Sequence, residues 1–269
     1  MKTTVLWLAV VACMAANRSL AAQPQLAPPW RGEVDYRRDY LARQNINWPA
    51  ELEGKLTLGT RLTPFLLLKD ESAAGFLGTI SKLEAEEDYL PWKFLVEYHF
   101  IPRWGAELTW DQIAVHAVTH AVDHHMDGDF VLTGPILSGV YHGEKHGRFQ
   151  PYAELGLAWM LADFDPAQWW SLGYAHESDW ILLGSSDEPR NSITREIKVD
   201  DTPGVILAAG SRIEITRHWS GDVLLRYMYL EPAAEFTEFR NGMPIPGVAD
   251  ERAIPLSNLA LGLGATYTF

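Results

Sequence analysis

Hydrophobic positions recur along this chain with a period of two. From Leu56 to Leu68 the even positions read Leu56, Leu58, Thr60, Leu62, Pro64, Leu66 and Leu68, and Thr57, Gly59, Arg61 and Thr63 lie between the first of them. From Trp92 to Phe100, Trp92, Phe94, Val96, Tyr98 and Phe100 alternate with Lys93, Leu95, Glu97 and His99. Near the C-terminus Leu259, Leu261, Leu263, Ala265, Tyr267 and Phe269 alternate with Asn258, Ala260, Gly262, Gly264, Thr266 and Thr268. A period of two sends successive side chains to opposite faces of a β-strand. Apolar residues on one face and small or polar ones on the other, held for about ten residues, is what a strand facing lipid requires. A soluble sandwich alternates too, but its second face is usually richer in Lys and Thr than in Gly and Ala.

Five more strands follow, at about 104–117, 129–142, 148–163, 203–216 and 219–231. Ala153, Leu155, Leu157, Trp159 and Leu161 form one face of the fifth strand, and Val205, Leu207, Ala209, Ile213 and Ile215 one face of the sixth. In the third and fourth the alternation shifts after Trp110 and around Gly134-Pro135, where bulges are expected. Connections at 102–105, 142–148 and 217–220 are short, whereas 70–91, 118–128, 164–200 and 232–253 are long and polar. Short and long connections alternate. The expectation is an all-β fold: an eight-stranded antiparallel transmembrane β-barrel over 56–269, with short periplasmic turns, long extracellular loops and both termini in the periplasm. An extra hairpin within 164–200 fits the length of that loop. In lipid every backbone N–H and C=O needs a partner, so a spanning sheet has to close. Aromatic residues near strand ends (Trp92, Phe100, Trp104, Trp159, Tyr227, Tyr229, Tyr267) suit an interfacial belt.

Residues 1–22 read as a signal peptide, with Lys2, an apolar run from Val5 to Ala16 and small residues at Ser19–Ala22. The run is shorter than the roughly 20 residues of a spanning helix. Cys13, the only cysteine, lies inside it; Val10-Val11-Ala12-Cys13 also fits a lipoprotein box, so lipidation of Cys13 stays open beside cleavage after Ala22. Residues 23–55 form a periplasmic extension or a disordered leader. An exported chain without spanning helices is periplasmic, secreted or an outer-membrane barrel, and the strand pattern makes the outer membrane of a Gram-negative bacterium the expectation. The net charge of −13 falls to −15 without Lys2 and Arg18, which argues against nucleic acid as a partner.

Several segments resemble the OmpW-like small outer-membrane barrels, with OmpA-like and opacity-like barrels as near relatives. Trp104-Gly105-Ala106-Glu107-Leu108 resembles that family's first periplasmic turn and third strand, and Arg148 to Gly156 its fifth-strand start. Gly221 to Leu230 resembles its seventh strand and Leu259 to Phe269 its closing strand. Glu154 stands where the family usually has glycine, and the 164–200 loop is longer than usual. The resemblance implies a narrow apolar channel from the outer mouth that opens sideways to the membrane, for small hydrophobic molecules. Outer-membrane lipid is then one partner, and the barrel-assembly machinery, recognising the terminal Phe269, another.

Candidate residues follow from strand phase. Arg61, Lys93, Glu97, Glu107, Asp111, Glu154, Arg212, Glu214, Asp222 and Arg226 are expected to face inward as a charge network, since an isolated buried charge is costly. Ile113, Val115 and Ala117, rejoined by Ala121, would line the channel if the third strand keeps its phase. His116, His120, His124 and His125 are candidate metal ligands, supplemented by Asp123, Asp127 and Asp129, with a solvated loop as the plain alternative. No motif calls for a cofactor. Three functions are open: a passive conduit or binder for small hydrophobic molecules, a structural or adhesion barrel acting through its loops, and a lipid A-modifying hydrolase. The last needs a nucleophile beside a base, for which His176 with Ser178 and His218 with Ser220 are the pairs on offer. The overall expectation is a non-enzyme.

Overall fold

The computed structural model of the chain describes residues 55–86, 92–119 and 126–269. The signal peptide, Cys13 and all but the last residue of the 23–55 extension lie outside them.

The strands are β1 (Leu56–Leu62), β2 (Phe65–Leu67), β3 (Ile80–Ala85), β4 (Trp92–Ile101), β5 (Trp104–Thr119), β6 (Met126–His142), β7 (Phe149–Pro166), β8 (Ile193–Val199), β9 (Thr202–Glu214), β10 (Trp219–Tyr229), β11 (Ala233–Arg240), β12 (Met243–Pro244), β13 (Asp250–Ala253) and β14 (Asn258–Thr268). Two short helices, α1 (Gln168–Ser171) and α2 (Glu177–Leu182), lie between β7 and β8. Strands β1, β4, β5, β6, β7, β9, β10 and β14 pair in that order, and β14 closes on β1 from Thr57↔Thr268 to Leu62↔Leu263. The result is a closed, eight-stranded antiparallel barrel. Its short turns gather at one end, where β1 begins and β14 finishes, and its long connections at the other.

The alternation read from sequence becomes an outward apolar belt. Leu155 and Leu157 on β7 are 64% and 67% exposed, and Leu207, Leu225, Leu261 and Leu263 are likewise exposed. Leaving such residues in water forfeits about 1.5–3 kcal/mol each, so a hydrocarbon surround is the medium that suits this surface. A lower girdle of Phe100, Trp104, Tyr141, Phe149, Trp219 and Tyr267 edges the belt at the short-turn end. Trp110, Pro135, Trp159 and Pro203 lie in one register row across β5 to β9 and edge it above. Phe149 and Trp159 are ten residues apart, about 33 Å along the strand and roughly 25 Å at a barrel's usual tilt, which matches an apolar band. Trp159 thus sits mid-strand rather than at a strand end, because β5, β6 and β7 continue beyond the belt.

Neither expected bulge exists. β5 and β6 keep one register from Trp104↔Tyr141 to Ala117↔Gly128, and the irregularity comes only after Ala117. At Gly134-Pro135 the β6–β7 ladder is interrupted, yet Thr133↔Leu161 and Ile136↔Ala158 are in the same register. Proline has no N–H to donate, so a rung is lost without a residue being inserted.

The long loops are folded. β8 pairs with β11, which also pairs with β12 and β13, forming a second sheet from two separate connections. The 164–200 loop therefore holds two helical turns and a strand whose partner lies in the next loop, not a hairpin of its own. Trp169, Trp170, Tyr174, Ile197 and Phe236 are buried against the apolar interior of the upper barrel. The Trp170 ring meets those of Phe164 at 5.7 Å and Phe236 at 6.0 Å.

Candidate functional site

Three tiers of charge fill the lower lumen, each on inward positions of the strands named above. Uppermost, Asp111 on β5 is paired with Lys93 on β4 and accepts from Arg226 Nη1 at 2.5 Å. In the middle tier Arg61 on β1 donates from Nη1 and Nη2 to the two oxygens of Glu107, at 2.6 and 3.0 Å. It also bonds Asp222 through Nε and Glu154 through Nη2 at 3.3 Å, while Tyr152 donates its hydroxyl to Asp222 at 2.7 Å. Gly264, opposite Arg61 and Asp222 on neighbouring strands, makes this crowding feasible: a Cβ there would stand 2.8 Å from Arg61 Cγ. Lowest, Glu97 is paired with Arg212 and lies 2.6 Å from His142 Nε2 and 3.5 Å from His99 Nε2.

Nine of the ten residues read as inward charges are buried in this network. Glu214 is not. It ends β9 at the short-turn rim, half-exposed, and is paired with Lys145 from the 143–148 turn. Between the upper and middle tiers a cavity of about 20 Å³ is lined by Arg61, Thr63, Lys93, Glu107, Ser138 and Arg226 among others. That is room for about one water, not for a file of them. Paired, desolvated charges thus close the lower lumen.

The upper lumen is apolar and filled. Ile113, Val115 and Ala117 keep their inward phase on β5 and are fully buried. They pack with Leu83, Phe130, Leu132 and Met160, and with Phe76, Leu77 and Ile80 from the first long connection. The expected channel open at the outer mouth is occupied by these side chains, because the β2–β3 connection and the loop sheet turn their own apolar residues into it. Ala121 lies outside the described residues.

The cavity that could admit a small molecule is instead in the wall. β2 continues β1 along β14, and β3 pairs with the upper part of β5, but β2 and β3 do not pair with one another. They are joined above, where Leu83 N donates to Asp70 O at 2.7 Å, and the Leu62↔Trp92 pair lies below. Between them is a cleft of about 620 Å³. Leu66, Leu67, Leu83, Ala85 and Met126 supply its apolar lining, and Asp70, Lys82, Glu84, Glu86 and His116 its polar one. Lys82 Nζ bridges Glu84 at 2.8 Å and Glu71 at 3.4 Å. Periodicity concealed this cleft, since both of its lips keep ordinary strand phase and only the missing ladder opens them.

Of the histidine cluster, His116 faces outward on β5 and its Nδ1 lies 2.6 Å from Asp129 Oδ1; His120, His124 and His125, with Asp123, lie outside the described residues. Asp127 is buried and accepts from Thr119 and Thr79. A different group of metal-capable side chains, Glu97, His99 and His142, converges at the bottom of the lumen. Of the paired bases and hydroxyls, His218 Nδ1 is 2.9 Å from Thr268 O and its ring stacks on Tyr267, which commits it to β14 rather than to Ser220. His176 and Ser178 stand at the start of α2 in the loop region.

A closed meander of eight strands, apolar outside and charged within, is the small outer-membrane barrel fold. The chain is similar to outer membrane protein OprG from Pseudomonas aeruginosa, with a TM-score of 0.56 and 15% identity, over 81% of this chain and 97% of that one. Weaker likenesses extend to AlkL in lipid bilayers (TM-score 0.49, 14% identity, 92% and 97% covered) and to the outer membrane protein W of E. coli (0.45, 16%, 81% and 98%). No protein-family model and no curated protein matches the sequence.

Proposed function

We propose that this protein is an outer-membrane barrel of a Gram-negative bacterium that binds small, largely hydrophobic molecules at the cleft between β2 and β3 and releases them sideways into the membrane. The observation that carries this reading is the cleft itself. Among the described residues the other neighbouring wall strands are laddered apart from the short break at Gly134-Pro135, and here a space of about 620 Å³ separates two strands at the upper edge of the apolar belt. One lip is apolar, with Leu66 and Leu68 exposed on the outside, and the other carries Lys82, Glu84 and Glu86. Such a pair of lips suits a molecule with an oily body and a polar end. Because the charge tiers close the lower lumen, the route that suits an oily guest is lateral, past the apolar lip into the membrane.

The test fills the cleft. Ala85→Trp places an indole among its lining residues; uptake of a fluorescent medium-chain alcohol or fatty acid by cells expressing it should fall about tenfold relative to wild type. Leu155→Trp, a belt change on the far wall, should leave uptake unaltered. Equal uptake by wild type, Ala85→Trp and cells lacking the protein would remove this reading.

A second reading has its own support. The filled upper lumen and the folded loop sheet suit a barrel that presents its loops to another surface. Loss of cell adhesion on trimming the loops, with uptake unchanged, would favour it.

A further inference from the structure

Glu97 and His99 occupy successive inward positions on β4, and His142 ends β6 two strands away. β5 runs between them, and the residue it presents there is Gly105, paired with His99 on one side and Val140 on the other. With no side chain at Gly105, groups from β4 and β6 meet across it. A Cβ at that position would lie 2.6 Å from Glu97 Oε1. The His99 and His142 ring centroids are 4.9 Å apart, and one ligand atom from each of the three residues falls within 4.8 Å of the others. His142 is 1% exposed and its Nδ1 has no hydrogen-bond partner among the described residues.

We propose that Glu97, His99 and His142 hold one divalent transition-metal ion of the zinc type at the short-turn end of the lumen. Two imidazole nitrogens and one carboxylate oxygen form a borderline donor set that suits zinc or its transition-metal neighbours and does not suit magnesium or calcium, which take oxygen. Three protein ligands leave a fourth position for water. Ligand atoms about 2.0–2.1 Å from a tetrahedral ion stand about 3.3 Å apart. Here His142 Nε2 and Glu97 Oε1 are 2.6 Å apart and must open slightly, while the other ligand atoms, all within 4.8 Å of one another, adjust around the ion. His99, at 16% side-chain exposure, is the more accessible ligand and the point of entry from the short-turn end. Arg212 holds the other oxygen of Glu97, the kind of outer partner that orients a ligating carboxylate. The site is independent of whatever the wall cleft takes.

The test uses the full-length protein, untagged, in detergent and stripped with chelator, with His116, His120, His124 and His125 changed to Gln to remove the outer histidines. Co²⁺ should bind at one equivalent with a visible d–d absorption band, and Zn²⁺ should displace it while Mg²⁺ does not. His99→Gln and His142→Gln, each checked for a heat-modifiable gel shift as evidence of a folded barrel, should weaken binding by at least about tenfold. Should either variant fail to fold, the folded parent still decides the matter. Five histidines remain in it, and Zn²⁺ should move the ring resonances of two. No Co²⁺ binding, binding indifferent to both substitutions, or no histidine resonance shifted by Zn²⁺ would overturn the proposal.

Discussion

Arg61 bonds Glu107, Glu154 and Asp222 at once, all deeply buried. Removing one partner from a buried ionic group leaves charge uncompensated, at a cost of about 3–5 kcal/mol. Arg61→Met should therefore lower the unfolding free energy by that amount in urea titrations from lipid vesicles, and a loss below about 1 kcal/mol would show that the tier is slack. On the opposite face, Leu155 lies near the middle of the apolar belt. Leu155→Arg should cost about 2–4 kcal/mol in the same assay, and Leu182→Arg, on the exposed α2, next to nothing. The inward charges were legible because a strand's period of two is rigid. Their partners were not, since the pairing of Arg61 with Asp222, 161 residues on, depends on how every strand between is staggered. Glu214 was misread for a related reason: its parity is inward, but β9 stops there, and beyond the rim phase no longer determines the environment.

Among the elements, the eight spanning strands could be read from sequence to within a few residues, because lipid outside and charge inside impose opposite demands on alternate positions. Bulges were over-read. Gly134-Pro135 breaks the polarity pattern without breaking the residue count, and only the register on both sides distinguishes the two. The loop sheet was hidden for the converse reason: β8 and β11 come from different connections, and β8 pairs with no strand of its own connection among the described residues. Ala234↔Val199 through Arg240↔Ile193 is their whole shared ladder. Replacing 234–252 by a short Gly-Ser linker should leave the barrel heat-modifiable on gels while exposing 193–199 to limited proteolysis. Persistence of an uncut 193–199 in that variant would mean that β8 is held by the barrel and not by β11.

At the scale of the molecule the interior divides into an ionic lower half and an apolar upper half, with the wall cleft beside the latter. The general plan was accessible from composition and periodicity; the cleft and the Glu97–His99–His142 group were not, because each arises where something is missing, a ladder in one case and a side chain in the other. The ladder between β8 and β11 has a further consequence for how the exterior is seen. An antibody that recognises the assembled sheet meets a surface contributed by two stretches remote in sequence, so a synthetic peptide copying either stretch would fail to compete for it. Natural variation in one stretch has to be answered in the other, and grafting a single loop onto a foreign scaffold would carry across an unpaired edge in place of the intended shape.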